Sequence, residues 1–321
     1  MISRKSVLAI SACGLIATGL AACGSDDNGS TSGGASGLSG SIRVNGSSTV
    51  GPLTQAVAEQ FNAANPDVEV SVGVAGTGGG FEKFCVGETD INDASREIEP
   101  EEAAACKKGG VSYDAIQIAN DALTVVVNPA NPNDCLSVDQ LAQIWGPDSP
   151  ASNWSDVQGA DTSFDADIDR FGPGTTSGTF DFFTGAINGE EGVQTKDYNN
   201  VGENDNQTVT GVEGSEGGIG YFGYSYYQEN ASQLKALQIK NPDTNKCVAP
   251  SSETVQDGTY VPLGRPLFIY PSEGSLKDPA VQAFVKYYVD NANDIAPDVG
   301  FITLTDEQLK KSENTVASLT G

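Results

Sequence analysis

The sequence predicts an α/β protein of two domains joined by two crossover strands, with a ligand cleft between them. Three observations predict it. Short strand-like apolar segments alternate with amphipathic ones along the body of the chain, as strands and helices do in turn. Two extended stretches, near 121–128 and 264–270, can carry the chain into a second domain and back. A length of 321 residues favours two domains over one. One domain is then built from both ends of the body, 41–122 plus 268–321, and the other, 123–267, is inserted into it.

The amino terminus reads as an export signal. Arg4 and Lys5 precede "VLAISACGLIATGLAA" (7–22), an apolar stretch too short for a comfortable membrane span. It ends in Leu20-Ala21-Ala22-Cys23, which resembles the lipobox of bacterial lipoproteins. That resemblance implies a signal peptide over 1–23, with Cys23 as the lipidated first residue. An ordinary secretory signal is the alternative. Residues 24–40, "GSDDNGSTSGGASGLSG", form a flexible tether with almost nothing to bury; their root-mean-square reach is roughly 20–25 Å. The expected location is the extracytoplasmic face of a bacterial cell membrane.

The body opens with the alternating strand "SIRVNGSS". "PLTQAVAEQFNAANP" (52–66) is an amphipathic helix, with Leu53, Val57 and Phe61 on one face and Pro66 as its stop. "VEVSVGVAG" (68–76) is a strand running into GTGGG, after which "FEKFCVG" starts a helix. "ETDINDASREI" is a short strand entering a loop. "EPEEAAACKKGG" is a helix with acids early and lysines late, as its dipole prefers. Residues 113–132 are strand material, and "SVDQLAQIWG" (137–146) is helical. "DADIDRFGPGTTSGTFDFFTGAI" (165–187) runs strand, loop, helix; "GGIGYFGYSYYQEN" (217–230) is a glycine turn leading into an aromatic segment. "VPLGRPLFIYP" (261–271) is extended, and "DPAVQAFVKYYVDNAN" (278–293) is a strong final helix.

Composition removes several chemistries. The chain has no histidine, so His-based triads, His metal sites and His bases are absent. A formal charge of −26 repels nucleic acid and anionic head groups, so no nucleic-acid partner is expected, and contact with the bilayer is expected through the anchor only. Cys85, Cys106, Cys135 and Cys247 remain in the mature body, an even number in an exported chain, and allow three pairings. Cys85–Cys106 and Cys135–Cys247 are favoured because each pair falls within one proposed domain. No C-x-x-C spacing supports metal binding, and no cofactor is expected.

Three glycine- and hydroxyl-rich loops each follow a strand and precede a helix: "NGSSTVGP" (45–52), "AGTGGGF" (75–81) and "GPGTTSGT" (172–179). Helix amino termini leave N–H groups unpaired and carry partial positive charge, glycine admits an anion, and Ser or Thr adds a donor. The candidate donors are Thr49 with Val50, Thr77 with Gly78 and Gly79, and Ser177 with Gly178 and Thr179. Any one such loop reads more plainly as a helix cap; three at equivalent places favour a site. No GK[ST] follows the glycines, so nucleotide binding fits poorly. Arg96 in "DASREIE" (93–99) is either a surface ion pair or a fork for an oxyanion.

The stretches "NGSSTVGPL", "GTGGGFEKF", "DINDASR", "FGPGTTSGTFDFF", "GGIGYFGYSYY" and "GRPLFIYP" occur in the order seen in periplasmic phosphate-binding proteins of ABC importers, the PstS-like family. The resemblance covers roughly 41–315. It implies a two-domain periplasmic-binding-protein fold closing on one phosphate, delivery to membrane permease subunits, no enzymatic activity and a monomer. Carried over by position, the ligand meets Thr49, Val50, Thr77, Gly78, Ser95, Arg96, Ser177, Gly178 and Thr179. The best-known branch has an arginine and a carboxylate where this chain has Pro173 and Thr175, and an aspartate where it has Arg96. The cation is therefore expected at Arg96, and the proton acceptor at Asp93, Glu97 or Asp181. Sulfate or arsenate binding is the runner-up within this class.

Two other classes fit the residues less well. A secreted phosphoric-ester hydrolase needs an activated nucleophile or a metal cluster. Ser177 has no histidine, and Asp165, Asp167 and Asp169 lack the rest of a calcium loop. A lipoprotein that only binds partner proteins has no use for the three loops.

Overall fold

The computed structural model describes residues 37–320 apart from 149–150, 162, 176 and 203. Cys23, the signal assigned to 1–23 and most of the tether assigned to 24–40 lie outside the described residues. Among the described residues, no helix is long and apolar enough to cross a membrane.

The first third of the body alternates strand and helix. β1 (Gly40–Gly46) buries Ile42 and Val44 and exposes Arg43 between them. α1 (Gly51–Ala64) takes Pro52 in its first turn, where a missing N–H costs nothing, and buries Leu53, Val57 and Phe61. β2 (Val68–Val74) pairs parallel with β1. α2 (Gly76–Phe84) follows directly, then β3 (Ile91–Ala94), also parallel to β1. α3 (Pro100–Gly109) carries Glu101 and Glu102 at its start and Lys107 and Lys108 at its end, and stops at left-handed Gly110.

β4 (Ile116–Val127) leads to β5 (Cys135–Ser137) and α4 (Val138–Trp145), capped by Ser137. β6 (Asp169–Gly172), α5 (Gly178–Asn188), β7 (Asn199–Asn200), α6 (Asp205–Gly214), β8 (Gly218–Gly223) and α7 (Tyr224–Asn230) continue the alternation. β9 (Lys235–Ala236), β10 (Gln238–Lys240), β11 (Cys247–Val248) and α8 (Ser252–Gln256) are short. β12 (Gly264–Pro271), α9 (Pro279–Ile295) and α10 (Asp306–Thr320) close the chain.

Among the described residues, a nine-stranded sheet runs β2-β1-β3-β12-β4-β8-β6-β7 with β9 on β4, and β11-β10-β5 form a smaller one. β4 holds the large sheet together by changing partners midway. Its residues 116–122 pair with β12, and its residues 123–127 pair with β8. The two main apolar cores divide at the same point. One joins Ile42, Leu53, Phe61 and Ile118 to Leu267, Phe284 and Tyr288. The other joins Leu123, Val125, Leu141 and Trp145 to Phe183, Tyr221 and Leu263.

Cys85 pairs with Cys106 and Cys135 with Cys247, the pairings favoured from the sequence. The first ties α2 to α3, and the second staples the small sheet.

The structure departs from the sequence reading at the start of α2 and at the carboxyl terminus, among other short elements. GTGGG is the first turn and a half of α2 and not a loop ahead of it. Gly76 supplies the left-handed backbone that starts the helix (φ 75°). A Cβ on Gly80 would stand 2.6 Å from Gly46 Cα, so glycine there lets α2 lie against the sheet. The second departure is α10, whose polar sequence gives only a weak apolar stripe; it packs on α9 and β4.

Candidate functional site

The three loops contribute neighbouring polar groups. After β1, Ser47 N–H donates to the Asp93 carbonyl at 2.9 Å, which anchors the loop to β3. Ser47 Oγ then accepts from the N–H groups of Thr49 (3.1 Å) and Val50 (3.4 Å). The loop thus satisfies within itself the Val50 N–H read as a ligand donor, and leaves the Thr49 hydroxyl, the other candidate donor, to reach outward. At the start of α2, Thr77 Oγ1 accepts from Ser95 N–H at 3.2 Å and lies 3.1 Å from Ser95 Oγ. These two residues, 18 positions apart, are both buried. At α5, Ser177 is the helix cap and accepts weakly from Thr179 N–H at 3.3 Å. Gly178 permits a close approach: a Cβ there would lie 3.0 Å from Thr49 Oγ1 and 3.1 Å from Ser48 Oγ.

A narrow cavity gathers these groups, lined by Ser47, Ser48, Thr49, Thr77, Ser95 and Gly178, with Gly76, Asp181, Phe182, Glu191 and Arg265 completing the wall. A wider cleft of ≈ 480 Å³ adjoins it across Ser48, Thr49 and Gly178, and Ser177 and Thr179 line that cleft instead. Val50, Gly78 and Arg96 line neither. The wider space is larger, but the convergent hydroxyls and the charge lie in the smaller one, which carries the polar chemistry.

Arg265 supplies the cation. It stands in β12 opposite Asp121 of β4, at the point where β4 changes partners. Its Nε donates to Asp121 Oδ2 at 3.2 Å and its Nη2 to Thr49 Oγ1 at 2.7 Å. Its Cζ lies 3.4 Å from the centroid of the Phe182 ring. Burial lowers the pKa of this guanidinium and Asp121 raises it, yet an arginine remains charged. Burial raises the pKa of Asp121, against the pull of Arg265. Burial, and then the charge of Glu191, also raise Asp181, while Arg265 lowers it. One cation thus faces three carboxylates, and Asp181 is biased toward taking up a proton.

Arg96 is otherwise engaged. Its two terminal nitrogens donate to the two oxygens of Glu102 at 2.8 Å each, and its Nε lies 3.4 Å from Glu99. Glu102 is itself held as the third residue of α3 by the N–H of Glu99 (2.8 Å). The other described arginines are also committed: Arg43 to Asp90, and Arg170 to the carbonyls of Ile144 and Ala151. Of the expected proton acceptors, Asp181 lines the cavity, whereas Asp93 and Glu97 do not. Sequence reasoning missed Arg265, Asp121, Glu191 and Phe182. The available signal was a single cation within the apolar extended run "VPLGRPLFIYP", since burying a charge is costly without a dedicated use. Among the described residues, no group of three or more Cys, Asp or Glu is placed to hold a metal.

The family described as a PBP superfamily domain matches residues 30–292. Protein SphX of Synechococcus elongatus is 45% identical over 265 residues, covering 82% of this chain and 77% of that protein. Phosphate-binding protein PstS of Staphylococcus saprophyticus is 37% identical over 310 residues, covering 94% and 91%. A crystal structure of a possible phosphate-binding protein from Planctomyces limnophilus superposes with a TM-score of 0.84 at 43% identity, covering 88% of this chain and all of that one.

Proposed function

The chain belongs to the PBP superfamily, alongside phosphate-binding protein PstS and protein SphX, and from that premise we propose that it captures inorganic phosphate outside the cytoplasm and delivers it to the permease of an ABC importer. The observation that carries this reading is the placement of Arg265. A buried guanidinium on a crossover strand shares one cavity with the hydroxyls of Thr49, Thr77 and Ser95. Such a set offers a charge-assisted fork and neutral donors to one tetrahedral oxyanion. Arg265 already touches Thr49 beside the first core and Phe182 beside the second. Residues 41–122 plus 268–321 and residues 123–267 then act as two lobes that close about β4 and β12, with the anion between them.

In this reading Thr49, Thr77, Ser95 and Gly178 surround the ligand, and Val50, Ser177 and Thr179 shape the adjoining helix ends. Gly78 and Arg96 form the outer rim beside Glu102. Asp181 accepts a hydrogen bond from a protonated oxygen of the ligand. A fully ionised anion such as sulfate has no proton to offer and would set its charge against Asp181 and Glu191, so this arrangement favours phosphate over sulfate. Arsenate, protonated as phosphate is, is the competitor that these carboxylates do not exclude. Cys23 carries the lipid anchor, residues 24–40 tether the monomeric body to the membrane face, and no covalent chemistry follows capture. A hydrolytic reading draws no support from Asp165 and Asp167, whose carboxylates accept from Asn153.

Thermal unfolding of the purified protein with phosphate, arsenate, sulfate or no added anion tests this. Stabilisation by phosphate and not by sulfate is expected. No shift with any oxyanion would overturn the reading.

A further inference from the structure

A buried acid lies just behind the cavity and outside its wall. Asp93, in β3, is fully buried. Its Oδ2 accepts from Thr54 Oγ1 at 2.9 Å, and that hydroxyl lies 2.9 Å from Tyr288 Oη of α9. Its Oδ1 has no hydrogen-bond partner, and no ion pair reaches it among the described residues. One hydroxyl donor is far too little for a buried carboxylate, which needs a cation or several donors to stay ionised. Around it, α1 contributes Thr54 and α9 contributes Tyr288, while β1 and β12 place Gly46 and Ile269 in register. Tyr288 is the titratable neighbour, and the charge of Asp93 raises its pKa further, so it offers no compensation. Burial pushes Asp93 up to about 8, with the Thr54 hydroxyl pulling the other way.

Asp93 is wired to the site at three points. Its carbonyl accepts from Ser47 N–H at 2.9 Å, Ser95 follows it by two residues, and Thr54 belongs to the opening turns of α1. We propose that Asp93 is a positioning residue held as the neutral acid beneath the amino-terminal end of α1, so that phosphate capture beside Ser47, Thr49 and Ser95 is linked to one proton that never touches the ligand. An ionised Asp93 competes with the anion for the positive end of α1 and repels it through a low-dielectric core. By reciprocity, a bound anion strengthens the hold of Asp93 on its proton. The proposal rests on the phosphate reading above.

The test is calorimetric phosphate affinity of wild type, Asp93→Asn and Thr54→Val from about pH 6.5 to about pH 9.5. The ligand's own ionisation and that of Asp181 act on all three alike. Relative to Asp93→Asn, the wild type should lose about tenfold in affinity as Asp93 ionises, within the usual range of coupling between sites. Thr54→Val removes the donor that favours the ionised form, so its alkaline loss should move to higher pH, and it decides the matter if Asp93→Asn does not fold. A wild-type to Asp93→Asn ratio constant across the range, or a Thr54→Val loss at the same or lower pH, overturns the proposal. Absence of phosphate binding to the wild type near neutral pH overturns the phosphate reading, and this proposal with it.

Discussion

The guanidinium of Arg265 stacks on the ring of Phe182, with Cζ 3.4 Å from the ring centroid. Arg265 comes from the returning crossover strand β12, and Phe182 from the first turns of α5. The stack fixes the plane of the guanidinium while Asp121 takes Nε and Thr49 takes Nη2. A cation oriented on three sides before ligand arrives loses little freedom on binding.

Arg265→Ala should therefore weaken phosphate binding by about 100-fold or more, in keeping with loss of one partner of a buried charge-assisted contact. Arg265→Lys should recover only a small part, because an ammonium can neither stack flat on Phe182 nor fork. Arg96→Ala should cost far less, since its fork is already taken by Glu102. Titration calorimetry on the three variants separates the arginines; an Arg96→Ala loss as deep as that of Arg265→Ala would return the cation role to Arg96.

Asp181→Asn should relax selectivity. The amide oxygen accepts the ligand's hydrogen bond less strongly than a carboxylate does, and the neutral amide no longer repels a fully ionised anion. Phosphate affinity should fall roughly tenfold, and sulfate should become a measurable competitor. Displacement of labelled phosphate by sulfate checks this.

Gly178→Ala places a methyl 3.0–3.1 Å from Thr49 Oγ1, Ser48 Oγ and Thr49 N. The backbone nitrogen cannot rotate away, so loop 47–49 and α5 must separate by a few tenths of an ångström. Affinity should fall while the melting temperature of the ligand-free protein changes little, because both cores are untouched. Equal losses in affinity and ligand-free stability would show that the contact belongs to folding and not to capture.

Asp93 also predicts the pH dependence of folding. The folded chain keeps this proton up to about pH 8, whereas the unfolded chain releases it near pH 4. Between those values the folded state binds more protons, so its contribution to stability is full below the unfolded pKa and is lost as pH rises toward 8. The stability gap between Asp93→Asn and wild type should widen in favour of the variant across that window, by at most about 1.4 kcal/mol per pH unit, and stay level above it. Urea unfolding at several pH values, without ligand, measures the gap; a gap that does not change with pH would show that Asp93 is ionised in the folded protein.

Much of this was legible in the residues alone. Leu53, Val57 and Phe61 mark α1, Pro66 marks its end, and the order of glycine loops marks where helices begin, because these are local rules of spacing and backbone freedom. Thr77 was legible as a candidate donor and Ser95 only through the family resemblance, and their contact was not legible at all. The cation was not legible. Arg96 stands among polar residues beside a candidate loop, and only the helical turn of α3 carries Glu102 round to occupy its fork. Arg265 lies 88 residues beyond Ser177 in sequence and within an apolar strand. Only the register of β12 on β4 sets it opposite Asp121 and beneath Thr49. The alternating elements, the disulfide candidates and the neutral hydroxyl loops are readable along the chain, since each depends on near neighbours or composition. Tertiary structure decided which arginine is held in the cavity and which acid is buried unpaired, since a charge's role depends on what surrounds it in space.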